Sequence, residues 1–228
     1  MARINNDSLG DQGEGKSEEV RERLLDSAEK LFAEDGFARS SIRKITSSAG
    51  CNIAAVNYHF GSKDNLYCEV FRRRLGLMRE LRMTSVQEVM SGADSEVTME
   101  NLFHSFSHAF LEPMTGESAR RDFMKLMMRE MLDKHLPVEL FGKELIHPTI
   151  AMMTEALIRI CPGLSEEAAV MSVMSLVAQL IQIVRVNSFL EESIDHEKVP
   201  MFEVDAAVGH IVKFSVAGVR AFIEEDER

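Results

Sequence analysis

From Ser17 onward, apolar positions recur at helical spacing and are interrupted by short polar, glycine or proline breaks. Val20, Leu24, Leu25, Ala28, Leu31 and Phe32 form one stripe, which predicts an amphipathic helix over residues 17–34 that Gly36 stops. Ser40 or Ser41 is placed to cap a short helix over 42–48, because a serine hydroxyl accepts an otherwise orphaned backbone N–H. Ile42, Ile45 and Ala49 share its inner face, and Arg43, Lys44 and Ser47 point away. Gly50 supplies a turn, Asn52 caps a second short helix over 53–60, and Gly61 ends it. Ser62 then caps a long helix that carries Leu66, Val70, Phe71, Leu75 and Met78 and reaches about Met90, where Ser91 to Asp94 make a turn. Helices follow over 98–111, 118–135, 138–160 (bent or broken at Pro148), 165–189 and 201–225. The pattern predicts an all-α chain: a polar, disordered arm over 1–16, a three-helix helix-turn-helix domain over 17–72, and a larger helical domain over 73–228.

Two short helices around a tight turn, with small residues opening the second, make a surface that enters a DNA major groove closely. On this reading Ala54 and Ala55 allow the approach, Ile53 belongs to the same face, and Asn57, Tyr58 and His59 offer polar edges. Ser40, Ser41, Arg43, Asn52 and Lys63 complete the expected DNA face, with Ser40, Tyr58 and Lys63 on phosphates. The string AGCNIAAVNYHFGSKDNLYCEVF closely resembles the DNA-binding domain of TetR-family transcriptional regulators. The family pattern falls at Ala49-Gly50, Tyr58-His59-Phe60, Lys63 and Leu66-Tyr67, and upstream at Ala28, Leu31, Phe32 and Gly36-Phe37. The chain departs from the family early in the recognition helix, where Ile53, Ala54 and Ala55 replace a common lysine and hydroxyl residue. Base reading then leans on Asn57, apolar contacts and DNA shape.

Charge changes the picture only when it is resolved along the chain. The net charge of −11 is unpromising for a DNA binder. Residues 16–82, however, carry a net +3 and residues 83–228 a net −12, so the modest basic excess lies with the reader. No apolar run of membrane-spanning length lacks charge, so no span is expected. Three widely spaced cysteines, Cys51, Cys68 and Cys161, fit a reducing cytosol and a cytoplasmic protein. No nucleophile elbow, phosphate loop or paired carboxylates stand out, so neither enzymatic activity nor a cofactor is expected. His104 and His108 share a helix face without supporting ligands, and no metal is expected there.

The second domain is rich in methionine and phenylalanine at helical spacing, which is core with a share of cavity lining. His104, Phe106, Phe110, Phe123, Met127, Met131, Met153, Met174, Gln179 and Gln182 are the candidate ligand-binding residues. A charge buried among them needs a partner, and Arg129 or Arg185 is expected to pair with Glu130. The last two long helices are apolar over wide faces, which predicts a twofold dimer built from them. The run MMREMLDKHLP also resembles the effector domain of the CecR-like subgroup. Together the resemblances imply a homodimeric repressor that binds a double-stranded palindromic operator and is released by a small, largely apolar effector. The residues alone leave open an activator, or a helical small-molecule carrier with no regulatory DNA binding.

Overall fold

The computed structural model describes residues 8–114, 118–192 and 203–226. Its regular elements are helices: α1 (Ser8–Asp35), α2 (Ile42–Ser48), α3 (Ile53–Phe60), α4 (Lys63–Met90), α5 (Met99–Leu111), α6 (Ser118–Asp133), α7 (Glu139–Phe141), α8 (His147–Ile160), α9 (Glu166–Glu192) and α10 (Val204–Asp226). They gather into two units. The first holds α1 to α3, α4 as far as Arg74, and α6; the second holds the rest of α4, α5 and α8 to α10.

In the first unit α1 begins at Ser8, not at Ser17, so residues 8–16 extend the helix rather than forming a free arm. The expected arm at 1–7 lies outside the described residues. Leu24, Leu25, Ala28 and Phe32 are fully buried, and so are Ile45, Val56, Leu66, Val70 and Phe71 from the helices that follow. Gly36 ends α1 at φ +79°, a backbone conformation that favours glycine; a Cβ there would stand 2.9 Å from Arg129 Nη1, the movable end of a long side chain.

α6 belongs with this unit. It packs on α1, with Leu126 fully buried and the Phe123 ring 5.5 Å from Phe71. The apolar pattern placed this helix with the second domain. Periodicity identifies the buried face but not the helix that covers it. The Arg72-Arg73-Arg74 run is absorbed structurally: Arg73 bonds to Glu22, Asp26 and Glu29 of α1, Arg74 joins Glu29, and Arg72 pairs with Glu69.

The core of the second unit is built from Leu102, Phe103, Phe106 and Phe110 of α5, Met153 and Leu157 of α8, Val173, Leu176 and Leu180 of α9, and Val208, Ile211 and Val219 of α10. Thr98 caps α5 by accepting from Asn101 N at 3.1 Å. Between α7 and α8, residues Gly142–Ile146 form a π-helical turn. Pro148 has no N–H for the Glu144 carbonyl one turn back, and Arg79 Nη1 donates to that carbonyl at 2.8 Å instead.

α9 and α10 pack on each other and leave apolar outer faces. Met171, Met174 and Ile181 of α9 and Phe214 and Phe222 of α10 are exposed. By length and composition alone the stretches Glu166–Val186 and Val204–Ile223, each of which carries charged residues, are long and apolar enough to cross a membrane.

Candidate nucleic-acid interface

The reader is assembled from local signals. Ser41 caps α2 by accepting from Lys44 N at 3.2 Å, and Asn52 caps α3 by accepting from Ala54 N at 3.1 Å. Between the helices Gly50 takes φ +63°, and Cys51 N donates to Thr46 O at 2.8 Å. Gly61 closes α3 at φ +76°, and the Ser62 hydroxyl accepts from Asn65 N at 3.0 Å to start α4. Ile45, Val56 and Phe60 are buried, which fixes how α3 sits on its own unit.

What α3 then presents is Ile53, Ala54, Asn57 and Tyr58. Tyr58 is 80% exposed, and its ring meets His59 edge-on at 4.9 Å. Asn52, Ser41 and Arg43 are exposed beside them, and Ala55 and His59 are half-buried. α3 has no acidic side chain in its first turn and carries His59 in its last.

Two expected contacts change. Ser40 is only 1% exposed, and its hydroxyl donates to Gly36 O at 2.8 Å and Leu31 O at 3.0 Å. It ties the turn between α1 and α2 and is not presented to a phosphate. Lys63 places Nζ 4.2 Å from the centre of the Phe37 ring, and burial lowers its pKa. Its charge is therefore partly engaged with the ring.

Behind this surface lies a buried polar cluster. Glu130 of α6 accepts from the Tyr67 hydroxyl at 3.0 Å and from Leu136 N at 2.6 Å, with His135 Nδ1 3.9 Å away. Burial, and then the Glu130 carboxylate, push the Tyr67 phenol far above its usual range. Glu130 is thus satisfied without an arginine, and the expected pairing with Arg129 or Arg185 is not made. Arg129 instead donates to Glu34 O at 3.2 Å. Replacing Glu130 by alanine strands two buried donors and is expected to cost about 2–4 kcal/mol, or roughly 5–15 °C in Tm. Glu130→Gln keeps an accepting oxygen and should lose less. A thermal melt of Glu130→Ala within about 2 °C of wild type would refute the role given to this carboxylate.

The candidate ligand residues do not come together. Phe106, Phe110 and Met153 are buried in the second unit, whereas Phe123 and the half-buried Met127 belong to the first. The Met131 side chain lies outside the described residues. His104 is exposed and its ring lies 4.5 Å from the tilted ring of His108, whose Nε2 is 4.0 Å from Asp205. Met174 and Gln182 face outward, and Gln179 donates to Ser175 O and Ser215 Oγ. A shallow cleft of about 470 Å³ along α8 and α9 is lined by His147, Ile150, Thr154, Ile158 and Val170, none of them among the candidates.

Known proteins agree with the fold and the reader. Residues 24–70 match the family described as bacterial regulatory proteins, tetR family, and residues 104–218 match the tetracyclin repressor-like C-terminal domain. The chain is 37% identical over 92 residues to the HTH-type transcriptional repressor KstR2 of Rhodococcus jostii, covering 40% of this chain and 43% of that one. It is 42% identical over 52 residues to the HTH-type transcriptional dual regulator CecR of Shigella flexneri, covering 23% of each. That span is too short to place it in a CecR subgroup. The curated relatives that match over the reader align over about half of their own length or less. A solved regulator from Mesorhizobium loti shares the fold with a TM-score of 0.67 at 14% identity, over 88% of this chain and 96% of that one. Matched at its reader and, by the second profile, over half its length, the chain belongs to the TetR family of bacterial regulatory proteins.

Proposed function

We propose that the chain is a cytoplasmic repressor that binds a palindromic operator as a homodimer and is released by a small effector held in its second unit. The observation that carries this reading is α3: a capped helix with its inner face buried and Ile53, Ala54, Asn57 and Tyr58 in solvent. Exposed apolar side chains on so short a helix are out of place unless something covers them, and a major groove lined by thymine methyls does so. Asn57 supplies the amide that reads adenine, and Ser41, Arg43, Tyr58 and Lys63 set the register on phosphates. One such helix gives too small an interface for tight, specific binding, so two reading heads are needed. The outer faces of α9 and α10 supply the second copy. The sign of regulation is supported by the repressor-like description of the C-terminal domain and by the repressor KstR2. α4 runs unbroken from Lys63 to Met90 and carries an effector's influence toward the reader, provided the effector binds the DNA-free form more tightly.

The test is selection of bound fragments from a random duplex library at about 0.15 M salt, with and without small-molecule fractions of a cell extract. Enrichment of a palindrome that one fraction abolishes is the expected result. Failure to enrich any sequence would remove the operator reading. An enriched sequence without twofold symmetry would remove the paired reading heads.

A further inference from the structure

The arginines of α4 are paired as a rule: Arg73 and Arg74 with α1 carboxylates, and Arg79 with the Glu144 carbonyl and carboxylate. Arg82, one turn beyond Arg79, is the exception. It is 4% exposed, and its Nε is buried without a hydrogen-bond partner. Among the described residues no carboxylate, carbonyl or hydroxyl accepts from its guanidinium. Burial lowers its pKa to about 10, and no neighbouring charge opposes that shift. The guanidinium carbon lies 4.0 Å from the centre of the Phe110 ring, so an aromatic face covers the cation. A ring satisfies the face of the guanidinium plane. The buried Nε–H still needs an acceptor.

The surroundings define what that acceptor is attached to. Met78 and Val86, one turn to either side on α4, are buried, and the Phe106 and Phe110 rings of α5 are 6.0 Å apart. The Ser85 hydroxyl donates to Arg82 O at 2.8 Å, and Ser105 Oγ donates to Ser85 O at 3.2 Å, which holds α4 and α5 together beside the cation. Proteins rarely bury a guanidinium without an anion, because desolvation is not repaid by packing alone. The nearby Ser85 and Ser105 hydroxyls donate to backbone carbonyls.

We infer that Arg82 anchors the anionic head of the effector, and that the effector is an amphipathic monocarboxylate whose apolar body lies among Met78, Phe106 and Phe110. This rests on the reading of the chain as an effector-responsive regulator. A carboxylate offers two oxygens in one plane and matches the guanidinium fork. A phosphate dianion is disfavoured, because it would bring a second charge and further acceptors to a place with one cation. Arg79, the nearest cation along the helix, is already held by Glu144. Met78, an adaptable side chain one turn from Arg82, makes room as the ligand enters.

The test is titration of the full-length protein with acids and their matching alcohols: octanoate against octanol, and phenylbutyrate against phenylbutanol. At least one acid is expected to bind roughly tenfold more tightly than its alcohol, and Arg82→Met is expected to bring that ratio to about one. Methionine keeps the length of the stem and removes an unpaired buried charge, so Arg82→Met should melt no lower than wild type. Arg82→Gln gives a second, polar variant with the same expected loss of preference. Acids and alcohols binding alike, acids not binding at all, or a preference that survives in Arg82→Met would each overturn the assignment. The titrations contain no DNA. Failure of the wild-type protein to select a duplex would remove the repressor reading alone, and failure of the acid preference would remove the carboxylate reading alone.

Discussion

Replacing Ala54 by glutamate is expected to weaken operator binding by roughly 100-fold or more while leaving the fold intact. Ala54 is exposed in the first turn of α3, one residue beyond the exposed Ile53 and one turn before Tyr58. A carboxylate there is aimed at the phosphates and base edges that the helix approaches, and like charges brought together at an interface cost several kcal/mol. In a dimer the penalty falls twice. For the isolated protein the same substitution is neutral or mildly favourable, because an acidic side chain in a first turn complements the helix dipole. The two effects therefore have opposite signs, which separates a contact defect from misfolding. The measurements are fluorescence anisotropy on the selected duplex and a thermal melt. An affinity within about threefold of wild type, with the melt unchanged, would mean that α3 does not face DNA. Tyr58→Ala should lose less, about tenfold, as one group that positions the reader. Lys63→Ala should show a smaller loss on DNA and a cost of about 0.5–1 kcal/mol in stability, since its charge rests partly on Phe37.

The reader was legible in the sequence because its determinants are local. Ser41 and Asn52 cap the helices that follow them, and Gly50 and Gly61 occupy the positive-φ positions that other residues avoid. Each of these signals acts within a few residues. Ser40 misled because two adjacent serines offer the same hydroxyl, and only packing decides which one is drawn in to hold the turn.

The same limit explains what the pattern could not give. The stripe on α6 marks a buried face and says nothing of α1, which covers it. Glu130 was recognisable as a buried charge in need of a partner, but Tyr67, 63 residues earlier in the chain, has no local signal to link the two. Pro148 announced a break, whereas Arg79, 65 residues before Glu144, supplies the missing donor. The candidate ligand residues scattered for a related reason: methionine and phenylalanine at helical spacing are equally suited to a core, to a cavity and to an interface. Met174 went to the outer face, Met153 to the core, and Phe123 to the first unit. Arg82, which the sequence reading did not single out, is marked only by its burial in the fold, because burying charge is costly and burying methionine is not.

The largest effect expected away from the reader is at Phe214. This side chain is 65% exposed on α10, with Phe222 two turns further along the same face and Met171, Met174 and Ile181 exposed on α9. Ala217 and Gly218 between the two phenylalanines are also exposed and small enough to let another helix approach closely. So much apolar surface on paired helices favours a cover, and in the proposed homodimer a second copy of the same two helices would supply it by symmetry. If the proposed dimer forms through these faces, Phe214→Glu is expected to convert it to a monomer in sedimentation velocity, because the substitution would place a charge in the interface. The monomer itself should melt normally, since Phe214 contributes little to its own core. Operator binding should fall at least about 100-fold, because two half-sites read together lose the advantage of being linked. The two readouts fail separately. A variant that remains dimeric would move the interface to another surface. A variant that becomes monomeric yet binds the palindrome with unchanged affinity would show that one α3 suffices, and the argument from interface size for paired reading heads would be wrong.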